Sequence, residues 1–263
     1  MISIVLLGAG NVGSHFYKGF KASENVEVIQ WYNRSLSKIQ HFQNEVDITD
    51  DLNKLNPNAD IYIAAISDDR IIHFSKDFPL KNKFLVHTCG SVAVHELSNH
   101  NDRGVFYPLQ SFTKDAKLDF ANVPICIESL NKTHLPLLQT LASALGSDCY
   151  KINSEQRAAL HLAAVFVNNF TNQLYRIGHE ITESQSVEFD ILKPLIQETA
   201  NKIQKMSPYM AQTGPAKRND KKTLKRHHKI LEEGIQTDVY DLLTKSIKIT
   251  HGISSRKPKK NNN

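Results

Sequence analysis

The sequence predicts an α/β protein, in which a doubly wound parallel sheet is followed by an all-helical C-terminal domain. Short apolar runs of strand length alternate with helical segments up to about Asn153, and only helical periodicity follows. One run, residues 61–66, is apolar throughout, as is typical of a strand buried on both faces of a parallel sheet. We therefore expect a sheet domain over residues 1–153, a helical domain over 154–253 and a disordered basic tail over 254–263.

Residue patterns place the elements along the chain. Runs rich in apolar residues predict strands at 2–7, 26–32, 61–66, 84–87, 105–107, 124–127 and 149–152. In the same domain, helices are expected directly after the first strand, over 35–42 and over 133–145. In the second domain, apolar periodicity predicts helices over 155–181, 192–206, 223–231 and 238–249, with a loop over 207–219 that contains proline and glycine.

Composition narrows the class of protein. The chain has 263 residues and 40% hydrophobic content, enough for a substantial core, but no apolar stretch reaches the roughly 18 residues that span a membrane. The first strand begins beside Met1, so we expect no signal peptide. Cys89, Cys126 and Cys149 are too few and too widely spaced for a disulfide framework or a zinc site. These features predict a cytoplasmic protein without a metal site.

The net charge of +5 is concentrated in residues 217–229 and in the tail, and the rest of the chain is mildly acidic. A basic stretch can bind nucleic acid, but this one lacks the aromatic residues on which bases stack. Nucleic acid is therefore the least favoured partner.

The first strand runs into a Gly-x-Gly-x-x-Gly motif formed by Gly8, Gly10 and Gly13, and then into a helix. In such a motif, Gly8 permits the tight turn, Gly10 lets the backbone approach a pyrophosphate, and Gly13 lets the helix pack closely on the strand. The free N–H groups of the first helical turn then bind the phosphates. The sequence therefore predicts a dinucleotide site, and a Rossmann fold that has lost its nucleotide is the alternative.

The end of the second strand indicates which dinucleotide. Sites for NAD place an acidic residue there to bind the ribose hydroxyls, whereas this chain has Asn33, Arg34 and Ser35. Arg34 can pair with a 2′-phosphate and stack on adenine, and Ser35 can donate its hydroxyl. NADP is therefore the expected cofactor. The alternative is a solvated turn that caps a helix.

Ligands of open α/β sheets bind at the carboxyl ends of the strands. Ser67 and Thr88 follow two of the predicted strands and are expected beside the ribose and nicotinamide. Trp31, the only tryptophan, is expected beside the adenosine. The full set of expected cofactor-binding residues is Gly8, Gly10, Asn11, Val12, Gly13, Asn33, Arg34, Ser35, Ser67 and Thr88.

Two histidines are candidate proton donors. His161 lies in an otherwise apolar helical stretch, and Asn168 and Asn169, about two helical turns further on, are candidates for orienting a substrate. His87 lies at a strand end. The alternatives are a helix or dimer contact for His161 and a hydrogen-bonded strand-end histidine for His87. Tyr107, Gln110 and Arg218 are expected to contact the substrate, with Arg218 holding an anionic group.

Three segments carry a family resemblance. Residues 107–112 resemble a His-Pro-Leu-Gln-(Ser/Thr)-Phe pattern, residues 87–91 a His-Thr-Ser-Gly-like pattern, and residues 213–220 a Thr-Gly-Pro-x-x-Arg-Gly-Asp pattern. Together they resemble a family of Rossmann-like proteins regarded as NADP oxidoreductases, with a helical C-terminal domain of unassigned function. The resemblance extends to about residue 250. Tyr107 replaces the family's His, and a tyrosine hydroxyl has a much higher pKa than an imidazole. Asn219 replaces the family's Gly, although Asn tolerates left-handed geometry.

More distantly, the layout is similar to pyrroline-5-carboxylate reductases and β-hydroxyacid dehydrogenases. Residues 33–35 match the NADP-selecting turn of the reductases. The dehydrogenases' catalytic Lys and Asn are not reproduced, since His161 and Val165 stand near those positions. These resemblances imply an NADP-dependent reductase of a small carbonyl or imine that dimerises through its helical domain. The alternative is a non-catalytic NADP-binding sensor or scaffold.

Overall fold

In a computed structural model, residues 1–114, 116–231 and 233–253 are described. The predicted basic tail, residues 254–263, lies outside them. The chain forms two compact units, the first from Met1 to Asn169 and the second from Phe170 onward.

The first unit is built on one eight-stranded sheet. Its strands are β1 (Ile2–Leu7), β2 (Val26–Tyr32), β3 (Asp47–Thr49), β4 (Ile61–Ala64), β5 (Phe84–His87), β6 (Asp102–Pro108), β7 (Ile125–Ser129) and β8 (Cys149–Lys151). Their order across the sheet is β3-β2-β1-β4-β5-β6-β7-β8. The reversal of strand order beside β1 confirms the predicted doubly wound fold.

The prediction of a parallel sheet is wrong at one strand pair, because β6 and β7 are antiparallel. A parallel return needs a crossover connection, which is usually helical. The described residues between β6 and β7 hold only a 3₁₀ turn at Phe120–Asn122, so the chain comes back in the opposite direction.

Helices cover both faces of the sheet. Alternating residues of β1 point to opposite sides. Ile4 and Leu6 join a core with Phe16 of α1 (Asn11–Lys21) and Leu138 of α3 (Leu135–Ala144). Val5 and Leu7 join a second core with residues of α2 (Asp68–Asp77). This packing fixes the carboxyl ends of β1, β4 and β5 beside the start of α1.

Two local expectations were only partly met. The helix expected over 35–42 is a pair of 3₁₀ turns, Leu36–Lys38 and Gln40–Phe42. The helix expected over 155–181 is interrupted: α4 (Ser154–Ala164) runs into a π-helical turn (Val165–Phe170) and then into α5 (Thr171–Ser184). The first compact unit therefore extends past the change of sequence pattern at Asn153 and includes α4.

The second unit is helical. It contains α5, α6 (Lys193–Lys205), α7 (Pro208–Ala211), α8 (Lys221–Ile230) and α9 (Ile235–Thr250). Ala216 and Leu224 are its buried apolar residues among those described. None of the helices in the described part of the chain has the length and apolar character to cross a membrane.

Candidate cofactor and active site

Two of the three motif glycines are required by the fold itself. Gly8 has φ +104°, a conformation that other residues rarely adopt, and a Cβ there would collide with the carbonyl oxygen of Ala65. A Cβ on Gly13 would collide with the carbonyl oxygen of Gly8. The predicted roles of a tight turn and of close helix–strand packing are thus confirmed.

Gly10 differs, because a Cβ there would meet no protein atom within 4 Å. Its φ and ψ of −75° and −173° are open to any residue. Gly10 is also the N-cap of α1, which has no side-chain capping hydrogen bond. The N-terminus of α1 therefore faces open space with N–H groups available to an anion.

A cleft of about 700 Å³ extends from this glycine turn. It lies at the carboxyl ends of β1, β2, β4 and β5, as predicted for a ligand site in such a sheet. The predicted cofactor residues that line it are Gly8, Gly10, Asn11, Val12, Asn33, Arg34, Ser67 and Thr88. Gly13 acts from behind the turn, and Ser35 is not among the lining residues.

The turn after β2 is tied to the glycine motif. Oδ1 of Asn33 accepts a hydrogen bond of 3.0 Å from the backbone N–H of Ala9, and its Nδ2 donates to the Ser35 carbonyl. Asn33 therefore shapes the site. The Ser35 hydroxyl lies 3.1 Å from the Ser37 hydroxyl. Arg34 is left exposed in the cleft.

Sequence reasoning missed Lys38, which lines the cleft together with Arg34. It follows Arg34 by four residues, within the 3₁₀ turn Leu36–Lys38. The usable signal was its position, a second basic residue shortly after the end of β2. Two cations and no carboxylate therefore follow β2 directly.

Trp31 is buried, at 1% exposure, and does not line the cleft, which corrects the expectation that it lies beside the adenosine. Its ring stacks on Tyr17, and its Nε1 donates to the carbonyl oxygen of Gly8 at 2.9 Å. It supports the glycine turn from the core.

His161 and Tyr107 form a polar pair beside the carboxyl ends of β5 and β6. The Tyr107 hydroxyl is 3.1 Å from Nδ1 of His161, and both side chains are half-buried. The His161 ring packs on Gly90, where a Cβ would lie 2.5 Å from Nδ1. Gly90 follows Thr88, which lines the cleft, by two residues. Burial raises the pKa of Tyr107 to about 12, so its hydroxyl stays protonated at neutral pH.

Arg157 holds α4, and so His161, in place. It is buried at 1% exposure, pairs with Glu128 of β7 and donates to the carbonyl oxygen of Val92. Ser154, at the start of α4, also donates to Glu128, over 2.8 Å. No sequence pattern indicated this network, because the partners are far apart in the chain.

His87 is fully buried at the end of β5. Its Nδ1 accepts from the backbone N–H of Cys89 at 3.1 Å, so the ring hydrogen is on Nε2, which has no hydrogen-bond partner. Burial, with a further effect from the Arg157 cation, lowers its pKa to about 3. A neutral, inaccessible imidazole is poorly suited to protonate a substrate.

The remaining candidate site residues all lie at exposed positions. Asn168 and Asn169 are exposed in the π-helical turn, where the i→i+5 register replaces the α-helical spacing that was expected between them and His161. Gln110 is exposed, in the loop after β6. Arg218 is exposed in the second unit, in a loop where Asn219 has φ 53°, the left-handed geometry expected there.

The fold and the cleft together define a Rossmann-type α/β unit followed by a helical domain. A family model described as a domain of unknown function, DUF2520, matches residues 123–247. The structure of a Bacteroides fragilis protein, provisionally assigned as an NADP oxidoreductase, is 34% identical, with a TM-score of 0.82; the match covers 95% of this chain and 98% of that one. This chain therefore belongs to the same family, as its motifs indicated.

Two further structures share the fold at lower identity. A Thermotoga maritima protein is 20% identical, with a TM-score of 0.74, and a 1-pyrroline-5-carboxylate reductase from Streptococcus pyogenes is 13% identical, with a TM-score of 0.64. Each match covers 95% of this chain and 98% of the other. The sequence matches no curated protein.

Proposed function

We propose that this protein is an oxidoreductase that binds NADP(H) in the cleft and transfers hydride to or from a small carbonyl or imine. The observation that carries the proposal is the open N-terminus of α1 at Gly10, in the same cleft as the paired cations Arg34 and Lys38. The cofactor named for the B. fragilis family member is NADP. The S. pyogenes relative in fold is by its name a reductase of a 1-pyrroline, which is a cyclic imine, and this supports the reaction class.

Each part of the cleft fits one part of this cofactor. The N–H groups at the start of α1 would hold the pyrophosphate, and Gly10 leaves room for it. Arg34 and Lys38 would hold the 2′-phosphate, which a carboxylate in their place would repel. Ser67 and Thr88 would contact the ribose and the nicotinamide.

His161 is the proposed proton donor. Bound NADPH would supply the hydride from C4 of its nicotinamide. The Tyr107 hydroxyl can accept from Nδ1 of a protonated His161, which leaves Nε2 to donate its proton to the substrate oxygen or nitrogen. Because Tyr107 keeps its own proton, it orients the ring and is not itself the acid.

The cofactor assignment is tested by titrating NADPH and NADH against wild type and Arg34→Ala. The wild type should prefer NADPH, and Arg34→Ala should weaken NADPH binding about tenfold or more while leaving NADH unchanged, since a hydrogen bond to a charged group is lost. Arg70→Ala is the matched control, since it removes another cation that lines the cleft. An unchanged preference in Arg34→Ala would refute the assignment.

Catalysis is tested with Tyr107→Phe, measured with a panel of cyclic imines and small ketones at saturating NADPH. We expect kcat to fall about tenfold, because the His161 ring loses its hydrogen bond, and the NADPH Kd to stay the same. The kcat of His161→Ala should fall about 100-fold. If tight NADPH binding comes with no turnover of any substrate, the non-catalytic sensor or scaffold is the better description.

We further propose that the protein is a homodimer. Exposed apolar side chains support this: Leu162 and Val167 are 59% and 73% exposed in the first unit, and Leu195 and Leu242 are also exposed in the second. A second copy of the chain would remove such surface from water.

A further inference from the structure

The loop after β6, residues 109–113, is fastened to α1 by two side chains. Nδ2 of Asn11 donates to the carbonyl oxygen of Phe112 at 2.8 Å, and Nε2 of His15 donates to that of Thr113 at 2.9 Å. The His15 ring, 4% exposed, also contacts the Phe112 ring, with 5.5 Å between centroids. Asn11 and His15 are four residues apart, so they stand on one face of the helix.

Both hydrogen bonds go to backbone carbonyls. They therefore fix the path of the loop whatever its side chains are. The same loop contains Gln110, a predicted substrate contact, and directly follows β6, which carries Tyr107. The conformation of the proposed substrate loop thus depends on the first turn of α1.

That first turn is also the proposed phosphate site. Asn11 is the first residue of α1 and lines the cleft, and the turn has no side-chain cap at Gly10. An uncapped first turn frays, whereas an anion bound to its N–H groups holds it in helical geometry. Bound phosphate would therefore stabilise Asn11 in the position from which it holds Phe112.

We propose that Asn11 and His15 are positioning residues that transmit cofactor binding to the 109–113 loop, so that NADPH orders this loop before a small substrate binds. This inference rests on the proposed function. The role of the Pro-Leu-Gln-Ser-Phe-Thr segment would then depend on its backbone path. Binding is expected to be ordered, with NADPH bound before the substrate.

Hydrogen–deuterium exchange of residues 109–113 with and without saturating NADPH tests the proposal. In the wild type, NADPH should slow exchange there by about fivefold or more, the effect of stabilising one hydrogen bond. Asn11→Ala and His15→Phe should lose most of this NADPH-dependent protection. His15→Gln, whose amide can still donate to Thr113, should retain it, and so should Lys18→Ala on the exposed side of α1.

The outcomes separate this inference from the proposed function. NADPH binding without slower exchange at 109–113, or protection that survives in both Asn11→Ala and His15→Phe, would overturn the inference alone. A protein that does not bind NADPH would overturn both. Since Asn11 is exposed, Asn11→Ala gives a reading even if the buried His15→Phe variant fails to fold.

Discussion

Burial decides what each histidine of the first unit can do. His87 and His161 were equal candidates from sequence, because a pattern of residues does not report solvent access. The structure makes His87 a neutral core residue and leaves His161 half-buried beside Tyr107. A proton donor needs both access and a partner that tolerates its charge, and of these two candidates only His161 has both.

The low pKa of His87 predicts acid sensitivity. A histidine in the unfolded chain has a pKa of about 6.5, whereas His87 in the folded protein has a pKa of about 3. Between these values the unfolded state binds more protons, so stability falls as the pH falls. As the pH is lowered, we expect the free energy of unfolding to fall less in His87→Gln than in wild type. The difference between the two slopes should grow as the pH passes below about 6.5 and approach about 1.4 kcal/mol per pH unit.

Urea denaturation at several pH values between neutrality and about pH 5 measures this difference. Carboxylates titrate in both proteins, so only the difference between the two slopes reports on His87. Parallel slopes would mean that His87 has the same pKa in the folded and unfolded states.

For single residues whose role is local, the sequence alone was sufficient to predict the local geometry. Gly8 and Gly13 act through the backbone at their own positions, so the motif predicted their local geometry. Arg34 lines the cleft, and its contact with the cofactor stays a prediction. The pairs Tyr107–His161 and Arg157–Glu128 join residues distant in sequence. No local pattern distinguishes such partners from ordinary polar residues.

Among the elements, strands and most helices followed their apolar pattern, but connections did not. The described residues between β6 and β7 hold no crossover helix, and the two strands are antiparallel. The π-helical turn interrupts a stretch whose sequence has a continuous helical pattern. The edge strand β3 has only three residues, too few for a periodic signal.

The exposed apolar side chains of the helices predict that two copies of the chain associate. Sedimentation at micromolar concentration should give a dimer, and Val167→Glu should shift it toward monomer, because a charge at a buried apolar interface is costly. Lys18→Glu, at an exposed position on α1, should remain a dimer. A wild-type monomer would refute the dimer, and a Val167→Glu dimer would place the interface elsewhere.

For the molecule as a whole, the fold and the cofactor cleft could be predicted because a short N-terminal segment determines both. Gly8 and Gly13 are needed for packing, whereas Gly10 is free of protein contacts. The substrate is a different matter: the proposed substrate contacts His161, Gln110 and Arg218 lie in three separate segments of the sequence, and no local pattern joins them.

Gly10→Ala therefore tests the central claim most directly, by comparing NADPH affinity with thermodynamic stability in one variant. The free energy of unfolding should stay within about 1 kcal/mol of wild type, since the added methyl meets open space and suits the backbone. NADPH affinity should fall at least about tenfold, because the methyl occupies the place of the pyrophosphate. Gly13→Ala, the control, should instead lose stability. Wild-type NADPH affinity in a stable Gly10→Ala protein would contradict the account.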